Sequence, residues 1–485
     1  QVWAALKMIL TPKPMYAVLR AVLDSSLRGR SGVDREVMLR LLRAVPALAA
    51  VAWLVDYLRG VRRVRLLLGD GGAPGTEASR ALDRLRAIVG RCPALHVVYW
   101  PPWFAPGALL QFLLLGLKEL RAQLWERSPY ERQLCDLRDG SHVALDWVLP
   151  LSAAAQQAEE EGRGLLPVCV LLHGAFQDSC SVTMTDLARH LAACGMPAVV
   201  MNRRGYGGLG MGGAEVPRVN MFGFDEDLDD VLEDIAQSQP GRPVAIVGFS
   251  CGSGFCARYA GKRANLSAWV PGISGSVAEG QYPRLLCAVC YDLFYDISPD
   301  GAINEIRQPY LGVLNLAMKY YYAFRHRAEL SIGSPKAAHA IRSMLNPMVS
   351  ARQTYRLART LSGLEDKDDE RWASLAAPSH AARRFSMAWL ESNRPRLEQI
   401  TVPTLFIASL DDPITVKAHA EAAVPHIRAN PNLVLAELKR GSHGCKLDFW
   451  GVNNVAHRMI SEFVLSSLRE LRGVAAGAAS SLCST

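Results

Sequence analysis

The sequence predicts an α/β fold in which helices cover both faces of a mostly parallel sheet of eight strands. Between residues 168 and 263, short apolar runs alternate with patterns that are typical of amphipathic helices. Strands that are apolar along their whole length are typical of parallel sheets buried on both faces. In addition, the first two predicted strands flank Asp139 and Gly140, a dipeptide that favours a hairpin turn.

The predicted elements divide the chain into three parts. Residues 1–97 form an N-terminal helical extension, residues 98–475 form the main domain and residues 476–485 form a flexible tail. A helical, aromatic insertion at residues 276–395 interrupts the domain, and a polar surface insertion lies at 153–164. Seven of the eight predicted strands can be placed, at residues 132–137, 142–149, 168–172, 198–202, 244–247, 404–408 and 433–438. Five helices are predicted between and after them, at residues 182–194, 225–238, 251–263, 416–424 and 455–472.

The N-terminal part of the chain is strongly basic. Residues 1–130 hold 19 Lys and Arg against 9 Asp and Glu, a net charge of +10, whereas the whole chain carries +8. Basic regions bind anionic lipid or nucleic acid; no nucleic-acid-binding motif accompanies this one, so we expect no nucleic-acid partner. The apolar run 44–55 is too short to span a bilayer. It can lie on a membrane or pack inside the protein, so we expect a membrane-associated or intracellular protein.

The cysteines indicate a protein without a disulfide framework. There are 11, an odd number, and they are scattered through apolar runs. Cys287 and Cys290 have metal-ligand spacing, but no second pair or nearby histidine accompanies them, so we expect them on one face of a helix. The sequence predicts no metal site and no organic cofactor.

The segment Val244–Gly254, with the sequence VAIVGFSCGSG, is the strongest functional signal. Ser250 stands between Gly248 and Gly252 where an apolar strand gives way to a helix. This G-x-S-x-G pattern is typical of a nucleophile elbow, a sharp turn that exposes the serine hydroxyl. The glycines allow close backbone approach at the turn. We therefore predict that Ser250 is a nucleophile.

A serine nucleophile needs a base, because a neutral hydroxyl is a poor nucleophile. In this order of elements the base and its acid follow the serine. His443 lies in a glycine-flanked loop after the last strand, whereas His426 and His457 fall within helical patterns. His443 is therefore the predicted base. His173 precedes the nucleophile and is expected to shape its own loop.

The acid that orients the base is expected after the strand at residues 404–408. The sequence SLDDP offers two carboxylates there, Asp411 and Asp412. We predict Asp412 as the acid, and Asp411 is the alternative. Two backbone amides must also stabilise the oxyanion of the tetrahedral intermediate. The amide of Cys251, directly after the nucleophile, and that of Ala175, in the loop after the strand at 168–172, are the predicted donors.

Several segments in this order resemble one family. They are YWPPWFAPGALLQ at 99–111, RDGSHVALDW at 138–147, VLLHGAFQDS at 170–179, VVMNRRGYGG at 199–208, IVGFSCGSG at 246–254 and ITVPTLFIASLDDPIT at 400–415. From about residue 98 to 472 the chain is similar to the α/β-hydrolase-domain lipases and esterases. These include monoacylglycerol lipases, medium-chain phospholipases, medium-chain fatty-acid ethyl ester synthases and bacterial carboxylesterases. The resemblance implies an α/β-hydrolase fold whose helical insertion caps the active site.

The resemblance implies a serine hydrolase that cleaves carboxylic esters of lipid type through Ser250, His443 and Asp412. The expected partners are a lipid or ester substrate and, through the basic N-terminal part, a membrane surface. One alternative is an acyltransferase that forms alkyl esters, because His443 and Asp448 match the H-x4-D pattern of some relatives. A second alternative is a non-catalytic scaffold that binds a lipid or a protein.

Overall fold

The computed structural model describes residues 49–149, 166–211, 217–263, 285–297, 302–333, 335–362 and 393–482 of the chain. The predicted polar insertion at 153–164 and residues 1–48 of the predicted extension lie outside these ranges. The chain divides into two compact units, Gln1–Arg62 and Arg63–Thr485. The larger unit therefore begins well before residue 98, where the sequence places the start of the domain. In the smaller unit, residues 49–60 are helical.

The strands of the described residues are numbered in chain order. Two of them, β1 and β3, are only two residues long. The full set is β1 Arg62–Arg63, β2 Arg65–Leu68, β3 Val98–Tyr99, β4 Glu131–Asp136, β5 His142–Val148, β6 Val168–Leu172, β7 Ala198–Asn202, β8 Val244–Phe249, β9 Leu285–Tyr291, β10 Thr404–Ser409 and β11 Leu433–Leu438.

Among the described residues, nine strands form one sheet in the order β2-β11-β10-β9-β8-β6-β7-β5-β4. The six strands from β11 to β7 are parallel to one another. At the edges, β2 pairs antiparallel with β11, β5 pairs antiparallel with β7, and β4 pairs antiparallel with β5. The predicted mostly parallel sheet is confirmed, but it has nine strands rather than eight. Neither β2 nor β9 is among the predicted strands.

Helices pack on both faces of this sheet. They include Glu77–Gly90, Val182–Ala193, Asp225–Ser238, Cys251–Arg263, Lys417–Ala429 and Val455–Leu482. The helix Ala108–Trp125 instead lies against Val182–Ala193, through Glu119 and the Val182 amide. The helix Glu77–Gly90 begins at Thr76, whose side chain accepts a hydrogen bond from the Ser79 amide. It lies within the predicted extension, but its buried Leu85 and Ile88 belong to the core of the main unit.

Successive residues of the central strands belong to opposite layers of the core. In β6, Cys169 and Leu171 contribute to one apolar layer, whereas Val168, Val170 and Leu172 contribute to the other. This alternation follows from the two-residue repeat of a strand. Because both layers are covered by helices, the strand is apolar at every position, and this is the pattern that predicts a parallel sheet from the sequence.

The strand β9 corrects two predictions. It lies inside the segment 276–395 that the sequence assigns to a helical insertion, so the helical part begins only after Tyr291. Cys287 and Cys290 therefore lie on a strand and not on a helix. They belong to opposite layers of the core, so they do not share a face.

The described cap follows β9 and contains a short 3-10 helix, Ala302–Glu305, and then five longer helical segments. They are Tyr310–Met318, the π-helix Lys319–Arg325, Arg327–Gly333, Pro335–Met344 and Ala351–Thr360. The last of these has a complete capping box between Ser350 and Gln353. These segments share a third apolar cluster, separate from the two layers of the sheet.

The final helix, Val455–Leu482, runs past the predicted end at residue 472 and includes most of the predicted tail at 476–485. Within the described ranges, no helix combines the length and the hydropathy that are needed to cross a membrane.

Candidate active site

The loops that follow four parallel strands bring together the polar groups of the site. Ser250 follows β8, Asp292 follows β9, Asp412 follows β10 and His443 follows β11. Because carboxyl ends of parallel strands meet at one edge of a sheet, these residues converge although they are far apart in sequence. All four are buried, with 1 to 7% of their surface exposed.

Ser250 lies at the turn between β8 and the helix Cys251–Arg263, in the left-handed region with φ = 54°. This conformation is unfavourable for a residue with a side chain. Backbone hydrogen bonds hold it: the Ser250 amide donates to the Tyr291 carbonyl at 2.9 Å, and the Ser253 amide donates to the Ser250 carbonyl at 2.8 Å. The turn is therefore fixed from both sides.

The two glycines of the turn are required by close backbone contacts. A Cβ atom at Gly248 would lie 2.0 Å from the Gly252 carbonyl oxygen. A Cβ atom at Gly252 would lie 2.1 Å from the Leu172 carbonyl oxygen in β6. Neither contact is possible for a larger residue, so Gly248 and Gly252 let the helix start directly against the sheet.

His443 and Asp412 form a short hydrogen bond, with 2.8 Å between His443 Nδ1 and Asp412 Oδ2. The Asp412 carboxylate also accepts bonds from the amides of Ile414 and Thr415 and from the Thr415 hydroxyl. Burial opposes ionisation of Asp412, but the His443 charge and these donors hold its pKa at about 2. Burial lowers the pKa of His443, while Asp412 and Asp292 raise it, and the net direction is upward. Asp412 is thus a stable partner for an imidazolium ion.

Asp411 has a different position. Its Oδ1 accepts a hydrogen bond from the Ser442 amide at 3.0 Å, which connects the loop after β10 to the loop that carries His443. Burial raises the pKa of Asp411 to about 6. Asp411 therefore supports the backbone beside the histidine and does not contact the imidazole ring through a hydrogen bond.

A buried ion pair lies next to His443, and the sequence did not predict it. Asp292 lies 3.8 Å from His443 Nδ1, pairs with the Lys446 ammonium and accepts a hydrogen bond from the Gly444 amide at 2.6 Å. Burial raises the pKa of Asp292, and the Lys446 charge opposes this. Its signal in the sequence would have been a carboxylate directly after an apolar strand, but that requires recognising β9.

The two predicted oxyanion donors are the amides of Ala175, in the loop after β6, and of Cys251, the first residue of the helix after Ser250. A Cβ atom at Gly252 would lie 2.1 Å from the Leu172 carbonyl oxygen and 2.7 Å from that of His173, so the loop after β6 runs close to the start of this helix. An oxyanion site requires two amides directed at one point. Burial raises the pKa of the Cys251 thiol to about 12. Ser250 Oγ and the His443 ring, both within the described residues, are not hydrogen-bonded to each other.

His173, the alternative histidine, supports the loop after β6. Its ring is fully buried, with Nδ1 2.8 Å from the Gly174 carbonyl oxygen. Its Nε2 accepts a hydrogen bond from the Arg203 amide at 3.3 Å. Burial and the Arg203 charge lower the pKa of His173 well below its usual value, so the ring is neutral. This agrees with a loop-shaping role.

The cap lies over the turn that carries Ser250. Cys251, the first residue of the elbow helix, belongs to the same apolar cluster as Tyr321 and Tyr322 of the π-helix. Phe176, next to Ala175, packs 5.8 Å from Tyr321 and 5.9 Å from Tyr322 between ring centroids. Aromatic side chains of the cap therefore pack against the loop that carries Ala175, one of the predicted oxyanion donors.

Asp292, Asp412 and His443 are close enough to hold a metal ion, because their ligand atoms lie within 4.8 Å of one another. However, the Lys446 ammonium already pairs with Asp292, and Asp412 is occupied by His443, Thr415 and the Ile414 amide. These contacts supply the positive charge and the donors that a metal would otherwise provide, so the donor set does not fit a metal centre.

Asp448, the second residue of the H-x4-D pattern, stabilises a turn. Its carboxylate accepts hydrogen bonds from the Val452 amide at 3.0 Å and from the Asn453 side chain at 2.9 Å. These contacts use both carboxylate oxygens locally.

A family model for the alpha/beta hydrolase family matches residues 169–449, which is more than half of the chain. The chain therefore belongs to the alpha/beta hydrolase family, as the sequence resemblance implies. The match includes β6 to β11 and all four residues that converge at the end of the sheet.

The individual relatives share a low sequence identity with this chain. The human protein ABHD15 is 26% identical over 217 residues, which are 40% of this chain and 42% of that protein. The match thus spans less than half of that relative's length. Among solved structures, a soluble variant of monoglyceride lipase from Saccharomyces cerevisiae has 16% identity and a TM-score of 0.36, over 66% of this chain and 89% of the other. An esterase from Pyrococcus furiosus has 13% identity and a TM-score of 0.33, over 65% and 83%.

Proposed function

We propose that the protein is a serine hydrolase that cleaves carboxylic esters of lipid type. The observation that carries the proposal is the 2.8 Å contact between His443 Nδ1 and Asp412 Oδ2 at the end of the sheet where Ser250 occupies its strained turn. Membership of the hydrolase family and the complete set of serine, histidine and carboxylate support it.

In the proposed reaction, Ser250 Oγ attacks the ester carbonyl carbon while His443 Nε2 accepts its proton. Asp412 holds Nδ1 and stabilises the imidazolium ion that forms. The oxyanion is held by the amides of Ala175 and Cys251. When the tetrahedral intermediate collapses, His443 returns the proton to the leaving alcohol, and an acyl group remains on Ser250. Water, activated by the same histidine, then releases the carboxylic acid.

The lipid character of the substrate is supported by the apolar and aromatic cap cluster beside Ala175 and Phe176. Each methylene of an acyl chain that is buried contributes about 0.8 kcal/mol. We therefore expect kcat/KM to rise from acetyl to medium-chain esters if the chain is enclosed under the cap. An acyltransferase uses the same acyl-enzyme with an alcohol in place of water, and the local role of Asp448 gives it no specific support.

The second candidate is a non-catalytic scaffold, which is favoured because Ser250 Oγ and the His443 ring, both described, share no hydrogen bond, whereas His443 Nδ1 contacts Asp412. A fluorophosphonate probe separates the two. Under our proposal the wild-type protein is labelled, Ser250→Ala abolishes labelling and Ser253→Ala, one helical turn away, retains part of it. A wild-type protein that is folded but is not labelled would reject the hydrolase and leave the scaffold.

A further inference from the structure

The helix Ala108–Trp125 presents its apolar side chains to solvent. Gln111 is the buried residue of this helix. Large apolar side chains recur every three or four residues and are 42 to 75% exposed: Leu110, Leu113, Leu117, Leu120, Leu124 and Trp125. This spacing puts most of them on one face. A helix on a globular protein normally buries such a stripe. This one is exposed, so it lacks a partner among the described residues.

Two neighbouring segments extend the apolar surface. The Trp103 amide donates to the Phe449 carbonyl at 3.2 Å, which brings Trp103 next to the loop that carries Trp450. Lys118 Nζ donates to the Val452 carbonyl at 3.2 Å, which connects that loop to the helix. Trp103 is 48% exposed, Trp450 69% and Val452 66%. Three segments thus form one surface, which we call the leucine–tryptophan surface.

The leucine–tryptophan surface adjoins the candidate active site. Ser442, directly before His443, donates its hydroxyl to the Ala108 carbonyl at 2.9 Å. On the cap side, the Phe112 ring lies 5.4 Å from the ring of Tyr310, at the start of the first cap helix. Leu316 of that cap helix is 69% exposed. A ligand that covers this surface would therefore lie next to both the cap and the loop that carries His443, the predicted base.

The charges of the helix indicate what covers the surface. Its single carboxylate, Glu119, is used internally, since it accepts hydrogen bonds from the Val182 amide and the Gln123 side chain. Its two cations are Lys118 and Arg121, and Arg121 is exposed. Lys118 is half-buried, with its ammonium on the Val452 carbonyl. A leucine stripe with a terminal tryptophan and an arginine exposed beside it is typical of helices that lie in the interface of an anionic bilayer. A protein partner would require no such bias towards positive charge.

We propose that the leucine–tryptophan surface binds an anionic phospholipid membrane, with the helix Ala108–Trp125 lying in the plane of the interface. This attachment is distinct from attachment through the basic N-terminal segment, since its residues belong to the main compact unit. It brings the edge of the sheet that carries His443 to the lipid. Membrane binding does not require catalysis, so it can be tested whether or not Ser250 is a nucleophile.

The experiment is flotation of the full chain with phosphatidylcholine vesicles containing 30% phosphatidylserine. We compare Leu113→Glu/Leu117→Glu, on the helix, with Val51→Glu/Leu58→Glu, a pair of similar exposure in the segment 49–60. The first pair should lower the vesicle-bound fraction at least tenfold, and the second should leave it nearly unchanged. Thermal unfolding checks that each variant is folded. Loss of binding only in the second pair would assign attachment to the N-terminal segment and overturn the proposal.

A second measurement does not depend on substitutions to glutamate. Brominated acyl chains quench a tryptophan that inserts into a bilayer, so the quenching should decrease in Trp125→Phe while flotation persists. Sedimentation of the lipid-free protein is the remaining check. A wild-type dimer that fails to float, with Leu113→Glu/Leu117→Glu monomeric, would mean that a second copy covers the surface, which also contradicts the proposal.

Discussion

Two carboxylates lie near the His443 ring, and their distances predict different roles. Asp412 is 2.8 Å from Nδ1 and Asp292 is 3.8 Å away. We expect Asp412→Asn to lower kcat by about 10⁴, because an amide cannot stabilise the imidazolium ion or fix the ring tautomer. Asp292→Asn should cost much less. Steady-state hydrolysis of a soluble ester measures both, and a larger loss for Asp292→Asn would transfer the role of the acid to the loop after β9.

The ion pair of Asp292 and Lys446 is predicted to set the pH dependence. Asp292 raises the pKa of His443 and Lys446 lowers it. The base must be neutral to accept a proton, so a higher pKa moves the acid limb of kcat/KM to higher pH. Lys446→Met should therefore shift that limb to higher pH, and Asp292→Asn should shift it to lower pH.

The combined variant Asp292→Asn/Lys446→Met is the control for this prediction. It removes both charges, so the acid limb should return close to its wild-type position. Each single variant leaves a charge without its partner inside the protein, which destabilises a fold by about 3–5 kcal/mol. The profiles are therefore recorded below the unfolding temperature of the weakest variant. If the ion pair has only a structural role, both single variants should lower the maximum of the pH profile. The acid limb should then not move to higher pH in Lys446→Met and to lower pH in Asp292→Asn.

At the scale of elements, the close contact between β8 and the elbow helix predicts a strict requirement for glycine. Gly248→Ala places a Cβ atom 2.0 Å from a backbone oxygen that cannot move independently. We expect a loss of about 4 kcal/mol or more in the free energy of unfolding, typical of severe core disruption. The matched control is Gly116→Ala, where no atom lies within 4 Å of the new Cβ. Because alanine favours a helix over glycine, this variant should gain about 0.5–1 kcal/mol. Urea unfolding measures both changes, and equal stabilities would refute the proposed geometry of the turn.

The elements also show what the sequence could and could not predict. The segment around Ser250 and the positions of Asp412 and His443 depend on local patterns, namely a strand followed by glycine or by a polar loop. The structure brings Asp412 and His443 into contact. In contrast, β9 has the sequence LLCAVCY, a short apolar run without turn residues that suits a helix or a strand equally well. Missing β9 also hid Asp292, because its position depends on the end of that strand.

The edge strand β2 was missed for a different reason. Its partner β11 is more than 360 residues away in sequence, with Leu68 opposite Val434. Nothing in the four residues RLLL indicates such a distant pairing, and the surrounding segment contains helical patterns. Long-range contacts of this kind are not encoded in a local pattern.

At the scale of the whole molecule, the boundary between the two compact units predicts which truncations fold. A protein that lacks residues 1–62 retains β2 and the helix Glu77–Gly90, which are parts of the main unit. We expect it to unfold cooperatively near the temperature of the full chain and to react with a fluorophosphonate probe if Ser250 is the nucleophile. Its unfolding can be followed by circular dichroism.

Removal of residues 1–95 should have a very different result, although the sequence alone suggests a boundary there. This truncation deletes β2, which pairs with β11, and seven buried residues of one core layer: Val64, Leu85, Ile88, Val89, Cys92, Ala94 and Leu95. Each large buried aliphatic side chain contributes about 1.5–3 kcal/mol, so the loss is on the order of 10 kcal/mol. That is comparable to the total stability of a typical domain, about 5–15 kcal/mol. We therefore expect this shorter protein to be insoluble or unfolded. A folded product with the stability of the protein that lacks residues 1–62 would show that the segment 63–95 is dispensable and that the sheet is complete without β2.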